Sequence, residues 1–210
     1  MPLLSKSDRP ARTRSKRRPL SLDAPDPADR RRAVLDRAQD TGAVAELGPR
    51  LQAETDPGVR SALFTVLTEI GTPEALDALL PCLQSEDADL RNAAIEAAQT
   101  MPAAMATRMD SLLAEDNADL RIFALDILQD LPHPDAPDWI AGLLARETEA
   151  NVVGTAIDRL AECGRPDMVP AIRAAADRFA GVSYIRFACD FACAQLDGAA
   201  PETEGDRHAR

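Results

Sequence analysis

Cys189 and Cys193 stand four residues apart, a spacing that places two sulfurs on one face of a helix. With Cys82 and Cys163 they make four thiols of the kind that hold metals or exchange electrons. Zinc sites pair close CxxC or His motifs, and this sequence has neither. Each cysteine also sits where an apolar residue is expected. Cys82 lies among Leu79, Leu80 and Leu83, and the other three fall in the core columns described below. A free cysteine packs as a small hydrophobe, so core filling is the reading for all four. His133 lies in a turn between Pro132 and Pro137, and His208 lies in a polar tail, so they form neither a triad nor a metal cluster. There is no Gly-rich phosphate loop and no GxSxG elbow. The single Trp, Trp139, reads as a core or edge anchor at a helix start. No catalytic residue, metal or cofactor is expected.

The elements that carry these residues repeat. An apolar anchor recurs at Val59, Leu90, Leu120, Val152 and Ile185, at intervals of 31, 30, 32 and 33. Four residues after the anchor stand Leu63, Ala94, Ala124, Ala156 and Cys189, and eight after it Leu67, Ala98, Leu128, Leu160 and Cys193. Eleven after it stand Ile70, Met101, Leu131, Cys163 and Leu196. Those offsets trace one stripe of a helix, and Gly71, Pro102, Pro132 or Gly164 then stops it. A second helix precedes each anchor. Thr72-Pro73-Glu74 and Arg165-Pro166-Asp167, 93 residues apart, carry the Pro and acid that suit a first turn. The unit is helix, turn, helix. Such short helices are marginal alone and gain stability by stacking. The expected fold is all-α, a solenoid of about five hairpins from 43 to 198 with a capping helix near 27–40. The aromatic content of 3% suits closely packed Ala- and Leu-rich helices.

The turns before the anchors read Asp56-Pro57-Gly58-Val59-Arg60, Asp87-Ala88-Asp89-Leu90-Arg91 and Asn117-Ala118-Asp119-Leu120-Arg121. With Pro49 and Pro81 in the first helices, these units resemble HEAT repeats, including HEAT-like units of the phycobilisome-lyase type, over three quarters of the chain. The resemblance implies a structural ladder of Asp56/Arg60, Asp87/Arg91 and Asn117/Arg121 along the stack. An acid at a helix start accepts backbone N–H groups, and an Arg one turn later is within its reach. Glu149 and Val153 depart from the pattern, so the ladder is expected to break there. The resemblance also implies, for the lyase-type units alone, attachment or removal of a bilin chromophore. DNA-glycosylase solenoids match poorly, because they need a positive inner face.

Charge points to partners. Residues 1–22 carry seven Lys and Arg against Asp8, a charge of +6, which leaves −17 of the formal −11 on the remainder. The expected division is a disordered basic arm over 1–26, the repeat domain over 27–198 and a polar tail over 199–210. No apolar run reaches the ~18 residues of a membrane span, and a cytoplasmic location is expected. Six and ten residues after the anchors, on the solvent side of the second helices, stand Glu69, Glu96, Asp126, Asp130, Asp158 and Glu162. In the last unit Phe191 takes such a position, and Phe187 stands four residues before it. These eight residues form the expected partner-binding face: an acidic groove for a basic protein segment, ended by an aromatic dock. The open alternatives are an ordinary solvated face and, for the two Phe, a contact with the tail. The chain thus reads as a non-catalytic adaptor or scaffold. The basic arm offers either an intramolecular ligand for that groove or a nucleic-acid contact. Nucleic acid is not expected on the repeats themselves.

Overall fold

The computed structural model describes residues 20–198. Lys6 to Arg18, the 199–210 tail and His208 lie outside the described residues. Within them the chain is helical, with twelve α-helices and short 3-10 turns. A front helix α1 (Pro27–Leu35) is followed by five hairpins. They are α2 (Val44–Ala53) with α3 (Pro57–Ile70), and α4 (Pro73–Leu79) with α5 (Ala88–Gln99). In the third, the first helix is broken into α6 (Pro102–Ala106) and α7 (Met109–Leu112), before α8 (Ala118–Asp130). Last come α9 (Ala136–Arg146) with α10 (Ala150–Cys163), and α11 (Val169–Arg178) with α12 (Ser183–Gly198).

Local chemistry sets the boundaries. Asp26 caps the front helix, and Asp56, Asp87 and Asn117 cap second helices, by accepting an early backbone N–H from Ala28, Val59, Asp89 and Asp119 respectively. Gly71 ends α3 at a φ of 67°, a conformation that suits glycine. The front helix α1 packs on α3, and second helices stack in turn from α3 through α5, α8 and α10 to α12, while first helices such as α2 and α4, or α9 and α11, form the other layer. The expected columns fill the core between the layers, with one correction. Cys163 is exposed, at the last residue of α10. Cys82, Cys189 and Cys193 are buried. Burial pushes the Cys189 thiol up to about 11, helped by Cys193 and Asp190, so it carries no reactive thiolate.

Arg60, Arg91 and Arg121 recur in register along the stack, and their bonds differ from those expected. The Arg of a turn does not pair with the acid of the same turn, which is engaged in capping. Each Arg instead donates to the carbonyl six residues earlier: Arg30 to Ala24, Arg60 to Glu54, Arg91 to Ser85 and Arg121 to Glu115. It then reaches toward the next repeat. Arg60 meets Asp87 at 3.4 Å, Arg91 lies 6.0 Å over the Phe123 ring, and Arg121 grips both oxygens of Glu147 at 2.7 and 2.9 Å. Arg30, in the front helix, grips Glu54 in the same way at 2.9 and 3.0 Å. The series stops at Val153, which is fully buried.

Glu54 and Glu147 are the buried charged residues of the described chain, 2% and 5% exposed. Each also accepts the two following backbone N–H groups, Thr55 and Asp56 or Thr148 and Glu149. The hydrogen bond from Arg30 holds the Glu54 carboxyl far below the usual range, against the opposing effect of burial. At Glu147 burial pushes the pKa up, but Arg121 and the two N–H groups outweigh it and the net shift is downward.

Candidate interaction face

Stacking in register makes the exposed side of α3, α5, α8, α10 and α12 one continuous face. Offsets six and ten lie opposite the core stripe, so side chains there point away from both layers. Glu69, Glu96, Asp130 and Asp158, one from each of the first four repeats, are exposed and form no ion pair among the described residues. Asp130 has one long contact, 3.5 Å from the Gln99 amide. Asp126 and Glu162 behave differently. Arg159 donates to Asp126 at 3.2 Å and lies 3.6 Å from Glu162, so these two expected members of the stripe share one cation. Arg159 stands seven residues after its anchor, where the other repeats have Val66, Ala97, Ile127 and Ala192. It is largely buried, and its Nε has no hydrogen-bond partner.

Between α3 and α5 the face opens into a groove of about 590 Å3. Phe64, Leu90, Ala93 and Ala97 make its apolar floor, and Glu69 and Glu96 stand on its rim. Phe64, five residues after its anchor, belongs to neither the core stripe nor the solvent offsets, so periodicity alone does not assign it. Beyond Arg159 the face turns aromatic. Phe187 is 72% exposed, Phe191 52% and Tyr184 48%. Their spacing of i, i+3, i+7 puts all three on one side of α12. The Tyr184 hydroxyl donates to Asn151 at 3.4 Å, and its ring lies over Gly154. A Cβ at position 154 would stand 3.0 Å from the ring, so the glycine makes the seat. In an aromatic-poor chain this concentration is informative: the four Phe and Trp residues outside α12, Phe64, Phe123, Trp139 and Phe179, are all half-buried or buried, and all three aromatics within α12 are exposed.

Trp139 is half-buried against the core and stacks on His133 at 4.6 Å, a packing contact within the turn that opens α9. Among the described residues no group of three or more His, Cys, Asp or Glu is arranged to hold a metal ion. No helix there is long and apolar enough to cross a membrane.

Residues 17–99 match the family model for HEAT repeats. A solved engineered protein, determined by a structural genomics consortium, is 19% identical with a TM-score of 0.41, covering 84% of this chain and 94% of its own. No curated protein matches this chain.

Proposed function

We propose that this HEAT-repeat chain is a scaffold that holds a basic, extended protein segment along the exposed face of its second helices. HEAT repeats generally mediate protein contacts. The observation that carries the reading is the register of Glu69, Glu96, Asp130 and Asp158, one uncompensated carboxylate per repeat. Packed helices lie about 8–10 Å apart, close to the Debye length of about 8 Å at physiological salt. Neighbouring charges therefore reinforce one another, and the face attracts cations and repels phosphate. The α3/α5 groove adds an apolar floor that rewards a ligand with aliphatic stems, as Lys and Arg have.

The test uses a fluorescent dodecapeptide rich in Lys and Arg, titrated with the full chain and read by anisotropy. Reversing Glu96, Asp130 and Asp158 to Lys should weaken binding by at least about tenfold, since each 1.4 kcal/mol is tenfold. Far-UV circular dichroism should not change. Undiminished binding by the reversed face would sink the proposal.

A further inference from the structure

Resting on that acidic face, we infer that its resident ligand is the chain's own segment Met1–Arg18, laid antiparallel to the order of the repeats, with Leu3 and Leu4 seated on the aromatic stripe of α12. Three independent features of the face and the segment agree. The first is order. The face is acidic through four repeats and aromatic in the fifth, at Tyr184, Phe187 and Phe191. From residue 18 back to residue 1 the segment is basic at Arg18, Arg17, Lys16, Arg14, Arg12, Arg9 and Lys6, then apolar at Leu4, Leu3 and Met1. The segment joins the fold at Leu20, beside the front helix, since Ala24 is already bonded to Arg30 of α1. Its basic part therefore meets the acidic repeats first, and its apolar part meets α12 last.

The second is length. Five helix steps from α1 to α12, at 8–10 Å each, span roughly 40–50 Å. An extended chain covers about 3.1–3.3 Å per residue, so the stretch from Leu20 back to Leu4 reaches about 50–53 Å. That matches the span of the face, and Pro2, Pro10 and Pro19 favour the extended polyproline II form. The third is spacing. In the polyproline II form three residues make one turn and advance about 9 Å, close to one repeat, so Lys6, Arg9 and Arg12, three residues apart, share one side of the segment. Each would face one repeat's carboxylate.

The other occupants fit less well. Residues 199–210 contain no apolar side chain larger than alanine apart from Pro201, so they offer nothing to cover three aromatic rings. A second copy packed α12 to α12 would cover three half-exposed aromatics, on the order of 350 Å2. A stable interface takes about 800 Å2 per partner. A tethered ligand needs no such area, because its effective concentration is millimolar for a short flexible connection.

Two measurements on the full chain test the inference. With Leu4→p-benzoylphenylalanine, irradiation should give crosslinks to residues 184–194 in monomeric protein, mapped by mass spectrometry. Crosslinks to other repeats, or to 184–194 only in a dimer, would overturn it. Replacing Lys6, Arg9 and Arg12 together with Ser should erase that crosslink and raise affinity for the Lys/Arg dodecapeptide about tenfold by freeing the face. Unchanged affinity in that variant rejects the inference while leaving the acidic face intact as a binding surface. Failure of the dodecapeptide to depend on Glu96, Asp130 and Asp158 instead rejects the proposed function itself.

Discussion

The same arginine, at the same position of successive repeats, ties the stack in two different ways. At the outer ties, Arg30 with Glu54 and Arg121 with Glu147, a guanidinium grips both oxygens of a carboxylate sealed between repeats. At the inner ties Arg60 makes one long, exposed contact with Asp87, and Arg91 rests over the Phe123 ring. The residue two places before the capping position is glutamate at 54, 115 and 147 and serine at 85, and only Glu54 and Glu147 are buried where the preceding arginine reaches them; Glu115 is exposed. Where the carboxylate is sealed in, it also organises the turn by taking two backbone N–H groups. The α3/α5 groove opens at the lightly tied Arg60–Asp87 junction. The comparison teaches that the repeats are alike in packing and unlike in how firmly their edges are closed.

The most severe way to break the contrast is Glu147→Ala. It strands Arg121 and the N–H groups of Thr148 and Glu149 in a buried site, and should cost about 3 kcal/mol. Urea denaturation would read this, and a loss as small as that of a surface pair would erase the distinction. An intermediate effect is expected from acid. Both glutamates titrate below their ordinary value of 4.5 in the folded chain. Their contribution is therefore complete above that value and is lost as pH falls through it toward the folded values. Thermal melts from pH 6 to pH 3 should fall less steeply in a Glu54→Gln, Glu147→Gln chain than in the original. Parallel curves would show that these carboxylates are not what acid attacks. The smallest effect is expected for Asp87→Asn. Asparagine keeps the helix cap and removes only an exposed charge pair, so stability should change by less than about 0.5 kcal/mol. A larger loss would make the inner ties equal to the outer ones.

Much of this architecture was legible because a stacked hairpin writes its core at fixed offsets. The anchors Val59, Leu120, Val152 and Ile185 are buried, and Leu90 is half-buried. Cys163 departs from its column: it is exposed at the end of α10, whereas Met101 and Leu131 at the same offset are buried although α5 and α8 end before them. The front tie is written in the same pattern: Asp26-Pro27 with Arg30 repeats Asp56-Pro57 with Arg60 at a distance of thirty. The recurrence of Glu-Thr-Asp at 54–56 as Glu-Thr-Glu at 147–149, three periods apart, likewise marked the sealed carboxylates. What periodicity does not carry is contact between repeats. Arg159 pairs with Asp126 from 33 residues away, and Tyr184 takes its seat on Gly154 from the next repeat. Those meetings depend on how neighbouring helices are placed, not on the pattern within either one.

The light closure between α3 and α5 has a mechanical meaning. Pulled from its two ends, a stack of unequal links yields where the fewest strong bonds cross. Here that is the α3/α5 seam, where the ladder contact is the long Arg60–Asp87 pair, whereas at the next junction Arg108 grips both oxygens of Asp77. The first extension under load should come from that seam, and a ligand bridging the groove would stiffen the spring at its softest coil.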